Sequence, residues 1–527
     1  MRFETGLSHG PSPNSVWTKI ERLVTARRGA FTLAVIVLAS LAFRLHVSNE
    51  CSLWLDETTT QRGVLKPWPA VLAGPSREHP PLMYVLVRLV FDVFGPSTTA
   101  LRSVSLFFGC VLLVALHELC LELRLPVKRA LIVVGAFALS PFFIRHATEA
   151  RHYALLASFV TLGLTRVLRL LRGRPRGRDL AGFVLCGMAA AATQYFGLAY
   201  ALALLGTLGA GIRPVWRRSM WPGRVALLTS LGALLAVLAF IAMRAVARFG
   251  PGKSSAGAGP KFELSEQLLH EMIGQFPFMA YETWAWFIQP SLVFVGLSLL
   301  SWRLRGAARL LPFGIGLVPC VAALFIPATH FLTARYLAPS AVLCHLAACS
   351  ALFAAYDRAR TRLVHGERSA LALSLVGGAA LAGLVGARVR EFPRGYSAGG
   401  DDYRGLQRYF VDNLAKDTRV VAYVGYIGQL LFDEQYRLGS RIIKLENFQP
   451  VAGIDRYLVI ELHTGGRQAP FESLLQRKLG LSRETWRALP LVAVPHSVYQ
   501  PAVKARLIQL PSDFVPPPAP KRRPRKR

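Results

Sequence analysis

The feature that most restricts this chain is a succession of long apolar runs separated by short basic loops. A helix needs about twenty apolar residues to cross the hydrocarbon core of a bilayer, and only segments that satisfy their own backbone hydrogen bonds are stable there. Such runs lie near 29–47, 98–122, 127–145, 150–171, 179–193, 195–211, 225–246, 284–302, 310–328, 333–355 and 369–388. They predict eleven crossings, with the pair at 179–211 short in each half. Composition agrees, since 53% of the 527 residues are hydrophobic, 17% are charged and the mean hydropathy is +0.37. A string of soluble domains is excluded.

The formal charge of +32 would point to nucleic acid in a soluble chain. Here the basic residues punctuate apolar runs, so they read as topology signals and no nucleic-acid partner is expected. Six arginines fall in 166–178, four in 213–224, three in 303–309 and four in 357–368, and the N-terminal arm 1–28 adds Lys19, Arg22, Arg27 and Arg28. These segments are expected on the cytoplasmic side. The acid-richer loops, 48–79 with Glu50, Asp56, Glu57 and Glu78, and 249–283 with Glu263, Glu266, Glu271 and Glu282, then lie outside. Because about thirty polar residues precede the first apolar run, the N-terminus reads as a cytoplasmic arm, not a cleaved signal. Seven cysteines with no C-x-x-C pair imply neither a disulfide framework nor a zinc site.

Segment 80–95, PPLMYVLVRLVFDVFG, is sixteen residues long and carries Arg88 and Asp92. Counting it as a crossing would invert every later loop, so it is expected to lie flat as an interfacial amphipathic helix. Residues 57–73 form a candidate second helix of this kind. After 388 the chain turns polar, with strand-like RVVAYVG and RYLVIEL and helix-like DDYRGLQRYFVDNL and FESLLQRKLG. That reads as an extracytoplasmic α/β domain over 391–515, followed by a Pro-rich, polybasic tail at 516–527. No repeat of fixed period is present.

With this topology the ionisable residues gather at one rim. Asp56 and Glu57 follow the first span, His79 opens the flat helix and Arg102 begins the second span. Arg145, Glu149, Arg151 and His152 sit in one hairpin, and Arg335 with Tyr336 begins a later span. Charges at membrane depth are costly unless paired or functional. Arginines hold phosphate by charge-assisted bonds, and a nearby carboxylate can take a proton or hold a metal. Each residue also has a structural reading. L-D-E-T-T-T is a good helix start, Glu149 and Arg151 can pair within a hairpin, and an arginine at a span end often snorkels.

Six motifs in order carry a resemblance: S-L-W-L-D-E-T (52–58), R-E-H-P-P-L-M-Y-V-L (77–86), A-L-R-S-V-S (100–105), S-P-F-F-I-R-H-A-T-E-A-R-H-Y-A-L (140–155), T-Q-Y-F-G (193–197) and T-A-R-Y-L-A-P (333–339). This order resembles the GT-C membrane glycosyltransferases, in the bacterial branch with protein O-mannosyltransferases and the lipid A aminoarabinose transferase. The resemblance covers about 29–390, with the first outer loop at 48–97. It implies a polytopic α-helical GT-C-like protein of the bacterial inner membrane, with outer juxtamembrane helices. The implied reaction moves a sugar from a polyprenyl-phosphate donor to a lipid, glycan or protein acceptor outside the cytoplasm. By position, Asp56 matches the essential first-loop acid, as base or metal-binding residue, with Glu57 beside it as a catalytic candidate. His79, Arg102, Arg145, Arg151 and Arg335 are donor-phosphate candidates, and Glu149, His152 and Tyr336 are pocket candidates. A divalent metal is the one cofactor in question. A lipid-linked-sugar flippase or other transporter is the alternative class, although transporters more often place polar residues at mid-bilayer on broken helices.

Overall fold

The computed structural model describes residues 16–50, 53, 55–75, 79–173, 176–219, 221–249, 285–320 and 334–363, and the shorter stretches 418–422, 442–444, 448, 456–462, 475–489, 491–492 and 503–509. The expected span at 369–388, the loop 250–284, the helix-like 401–414 and the basic tail lie outside the described residues.

Among the described residues up to 363 helices stand at each expected position, with 321–333, the second half of the span expected at 310–328, outside them. They are α1 (Val16–Glu50), α2 (Leu55–Val64), α3 (Trp68–Leu72), α4 (Leu82–Phe94), α5 (Thr98–Glu122), α6 (Val127–Ala138), α7 (Pro141–Thr148), α8 (Tyr153–Arg172), α9 (Gly177–Thr193), α10 (Tyr195–Ala210), α11 (Ile212–Arg218), α12 (Trp221–Phe249), α13 (Ala285–Trp302), α14 (Leu311–Gly316) and α15 (Ala338–Leu363), with 3₁₀ turns at Gly306–Leu310 and Ala334–Leu337. Among the described residues five helices are long and apolar enough to cross a membrane, or up to seven if each of two bent pairs forms one span. The protein is therefore a polytopic helical membrane protein.

Three local departures from the sequence expectation have backbone causes. The run 127–145 is two helices bent by 63° between α6 and α7. Pro141 occupies the first turn of α7 and Ser140 before it is extended, because a residue preceding proline is pushed out of the helical region. The span expected from 150 starts instead at Tyr153. Residues 57–73 are not one helix but α2 and α3, parted where Pro67 sits extended before α3.

At the end of α4, Gly95 takes a positive φ of 77°, a conformation open to glycine. Two residues on, the Ser97 side chain accepts from Ala100 N at 3.1 Å and caps α5. Thirteen residues give α4 a length of about 20 Å, too short for the core. Its Met83, Tyr84, Val87 and Phe91 pack inward on a cluster with Val64, Leu101 and Val104, and Leu89, Val93 and Phe94 face outward.

Helix α8 is the central post. It packs against α5, α9, α10 and α15 and is buried around nearly its whole circumference, as a helix apolar on every side is, with its three arginines confined to the last two turns. The tight turn between α9 and α10 depends on Gly197, where a Cβ would lie 1.9 Å from the carbonyl oxygen of Ala190. Far along the chain, β1 (Arg419–Ala422), β2 (Ile442–Lys444), β3 (Arg456–Leu462), β4 (Leu491–Val492) and β5 (Val503–Gln509) form a mixed sheet ordered β2-β1-β3-β5-β4. Strands β2, β1 and β3 run parallel, and β5 is antiparallel to β3 and β4.

Candidate active site

The first level of the site is a buried scaffold. Glu57, in the first turn of α2, takes a fork from Arg102 of α5, with Nε to Oε1 at 2.8 Å and Nη2 to Oε2 at 2.7 Å. Both side chains are 0% exposed. The same Glu57 Oε1 accepts from Ala150 N at 2.7 Å, and Arg102 Nη1 donates to the carbonyl of Ser48. Ser105 Oγ donates to Arg151 O at 2.9 Å. One acid and one guanidinium thus tie α1, α2, α5 and the hairpin 149–152 together. Arg102 was expected at a donor phosphate and Glu57 beside the reacting atoms; both are committed to each other beneath the site.

Above this scaffold sits the accessible acid. Asp56 is 26% exposed, and its Oδ2 lies 3.5 Å from Arg151 Nη2 and 3.3 Å from Arg335 Nη2. Arg151 also donates to Asp56 O at 3.3 Å and to Thr60 Oγ1 at 3.4 Å, so one turn of α2 presents three oxygens to it. Thr60 follows Asp56 by four residues, which places both on one helix face. That spacing is the signal by which the sequence could have revealed it.

His79 meets Arg151 Nη2 through Nε2 at 3.0 Å. Since arginine only donates, that nitrogen accepts and the ring is neutral. Burial, then the charges of Arg151 and Arg335, push the His79 pKa well below 6.5. His152 is pushed down likewise, by burial, then by His79, Arg151 and Arg335. The two rings are 4.2 Å apart. His152 stacks toward Tyr336 at 6.3 Å, and Phe196 stacks on the same tyrosine at 6.0 Å. Arg335 lies over the rings of Tyr153 and Tyr336, 5.8 Å from each centroid. Phe196 and Tyr153 stand within the sequence motifs, but only the fold gives them a place in the site.

Glu149 belongs to a neighbouring group. Arg145 Nε donates to its Oε1 at 2.9 Å, and His146 Nδ1 lies 3.3 Å from Oε2. Against the upward pull of burial, Arg145 and His146 hold the Glu149 carboxyl down at about 2. Arg145 therefore serves Glu149, not the Asp56 cluster, and Glu149 does not pair with Arg151. Among the described residues no group of three or more His, Cys, Asp or Glu side chains is arranged to hold a metal ion. Asp56, the candidate ligand, faces two cations instead.

No protein-family model matches the chain, and no curated protein matches it in sequence. Solved structures do match in shape. ArnT from Cupriavidus metallidurans, solved with undecaprenyl phosphate, superposes with a TM-score of 0.51 at 12% identity, over 90% of this chain and 97% of that one. The Archaeoglobus fulgidus oligosaccharyltransferase gives 0.48 at 12% identity, over 79% and 64%. The chain therefore shares the overall fold of that ArnT structure.

Proposed function

We propose that this protein is a glycosyltransferase of the bacterial inner membrane that moves a sugar from a polyprenyl-phosphate carrier to an acceptor outside the cytoplasm. The observation that carries the reading is the position of Asp56, an accessible carboxylate with two guanidinium groups converging on one of its oxygens. Glu57 and Glu149 are 0% and 3% exposed and fully engaged, so Asp56 is the acid of this group that a substrate can reach. The fold match to an ArnT solved with undecaprenyl phosphate supports a carrier of that class.

The reaction follows as an inverting single displacement. The acceptor hydroxyl oxygen attacks the anomeric carbon, the bond from that carbon to the phosphate oxygen breaks, and Asp56 orients the hydroxyl and takes its proton. The departing carrier phosphate keeps the bond electrons and needs positive charge, not a general acid. Arg151 and Arg335 supply that charge, with His79 fixing the Arg151 fork. His152, Tyr336 and Phe196 wall the pocket. Glu57 and Arg102 hold these groups in position from below. In this reading 29–390 is the transferase domain and 391–515 an extracytoplasmic domain that bears on acceptor choice.

The test is mass spectrometry of envelope glycans and glycoproteins from a deletion strain carrying either the wild-type gene or Asp56→Asn. A sugar lost on deletion and restored only by the wild type supports the reading. Full restoration by a correctly folded Asp56→Asn protein overturns it.

A further inference from the structure

Surplus positive charge collects at one corner of the bundle, where α8, α10 and α13 end and α12 begins. Helix α11 leaves α10 at a bend of 62°, so it turns aside from the helix it follows. Its Val215 is buried, and Arg213, Arg217 and Arg218 are exposed. The 3₁₀ turn Gly306–Leu310 meets this bend. A Cβ on Gly211 would lie 2.3 Å from Leu171 Cδ2 of α8 and 3.5 Å from Ala307 Cβ. Arg303, Arg305 and Arg309, in and before that turn, are exposed as well.

The four acids that α5, α9 and α15 carry at this end are already taken, Glu118 and Glu122 by Arg169, Asp179 by Arg166 and Asp357 by Arg129. Among the described residues none of the six arginines of α11 and the turn has an ion-pair partner. Backbone carbonyls fix the guanidinium groups instead. Arg218 Nη1 donates to Leu171 O at 3.3 Å, Arg309 Nε to Leu304 O at 3.1 Å, and Arg224 Nε to Ser219 O at 3.1 Å. Arg224 also lies 5.2 Å over the ring of Trp216. A carbonyl takes up an N–H group without cancelling the charge, so each guanidinium is held in place with donors to spare. The positive-inside preference asks for basic residues at such an end, but not for their fixation by the backbone at one corner.

The depth of the corner is marked by tryptophan. Trp221, 71% exposed, opens the long apolar helix α12, and Trp302, 79% exposed, closes α13. Exposed tryptophans at span ends sit at headgroup level, which puts the arginines beside them at the depth of lipid phosphates. Below Trp221 on the same helix face, Val225 and Leu228 are exposed too. We propose that this corner is a binding site for an acidic glycerophospholipid. The exposed arginines of α11 and of the 303–309 segment take the headgroup phosphate, and the acyl chains lie along α12 below Trp221. Basic pockets between membrane helices hold acidic lipid headgroups in this way. The corner lies at the end of α8 remote from Tyr153 and the Asp56 cluster, and it stands whether or not the donor reading holds.

The experiment is thermal unfolding of the full-length protein in a neutral detergent, with phosphatidylglycerol or phosphatidylcholine added at equal molar fraction. A ligand that binds only the folded state raises the melting temperature with its concentration. Wild type is compared with a corner variant, Arg213→Gln, Arg217→Gln and Arg305→Gln together. The control is Lys128→Gln, Arg358→Gln and Arg360→Gln together, which removes the same charge from exposed positions on α6 and α15. The expected result is a rise of several degrees in phosphatidylglycerol over phosphatidylcholine for wild type and control, cut to about half or less in the corner variant. Melting in phosphatidylcholine checks that each variant folds. Should the corner variant not fold, Arg217→Gln and Arg305→Gln are read singly, each expected to lose part of the rise. Equal melting in the two lipids, an undiminished rise in the corner variants, or an equal loss in the control, which marks bulk charge, overturns the proposal. So does the same rise from glycerol 3-phosphate in place of the lipid.

Discussion

Asp56, Glu57 and Glu149 are three carboxylates in one small region with three different surroundings, and the surroundings assign the work. Removing the charge of Asp56 while keeping its shape should lower transfer by about 10²-fold or more, the usual contribution of a positioned acid or base. Initial rates of Asp56→Asn in membranes, with its folding checked, measure this. Arg151→Ala and Arg335→Ala should each weaken donor use roughly ten- to hundredfold, with acceptor KM little changed, and unchanged donor kinetics would remove the phosphate role. The titration shifts fix an acid dependence. His79 and His152 have pKa values lowered in the folded protein, so the unfolded chain binds more protons below about 6.5 and stability falls as the pH drops through that value. The Glu149 carboxyl, held at about 2 against an ordinary 4.5, contributes stability of about 3 kcal/mol above 4.5, lost as the pH falls from there toward 2. Melting temperature against pH should therefore decline in two stages, and His152→Gln should blunt the first.

At the scale of elements, the Glu57–Arg102 fork joins α1, α2, α5 and the 149–152 hairpin. Arg102→Met leaves a fully buried carboxylate unpaired, which costs about 3–5 kcal/mol. Thermal unfolding should show that loss, and the double variant Glu57→Gln with Arg102→Met should recover a substantial part of it. Stability of the single variant equal to wild type would contradict the scaffold role. The sequence showed the acids and arginines at one rim but not which meets which. Glu57 and Arg102 lie 45 positions apart, and no periodicity links them. The rival reading, a Glu149–Arg151 pair within the hairpin, does not hold, since Arg151, two residues from Glu149, turns to Asp56 and His79. Apolar length located the helices because burial in lipid demands it, and the run of strand-favouring residues Tyr457, Val459 and Ile460 located Arg456–Leu462. The bend at Ser140-Pro141 was hidden from that measure, since hydropathy runs on unbroken while the backbone cannot. Thr60 was legible in principle from helical spacing. The burial of Arg44 was not, because an arginine near a span end ordinarily reaches water, whereas this one is 1% exposed with Gly109 against its guanidinium.

Over the whole molecule the two ends of the bundle differ in kind. Helices α5 and α8 both start at the Asp56 cluster and finish together, where Arg169 pairs with Glu118 and Glu122, Arg166 with Asp179, and Arg129 with Asp357. The 25 residues of α5 cover about 37 Å, enough to cross a hydrocarbon core of about 30 Å. The far end carries the arginine-rich loops, and positive charge is retained on the cytoplasmic side. On the proposed reading the site opens outside, where a carrier-linked sugar would be spent. Single cysteines at Thr59 and Ser97, both exposed near the site, and at Lys128 and Arg178, both exposed at the far end, place each end in a cysteine-free background. An impermeant maleimide added to intact spheroplasts should label the first pair at once and the second only after lysis. Labelling of Lys128→Cys in intact cells with Thr59→Cys protected would turn the protein over. The Asp56 cluster would then face the cytosol, where soluble nucleotide sugars compete as donors, and the case for a lipid-linked one would lose its physical ground.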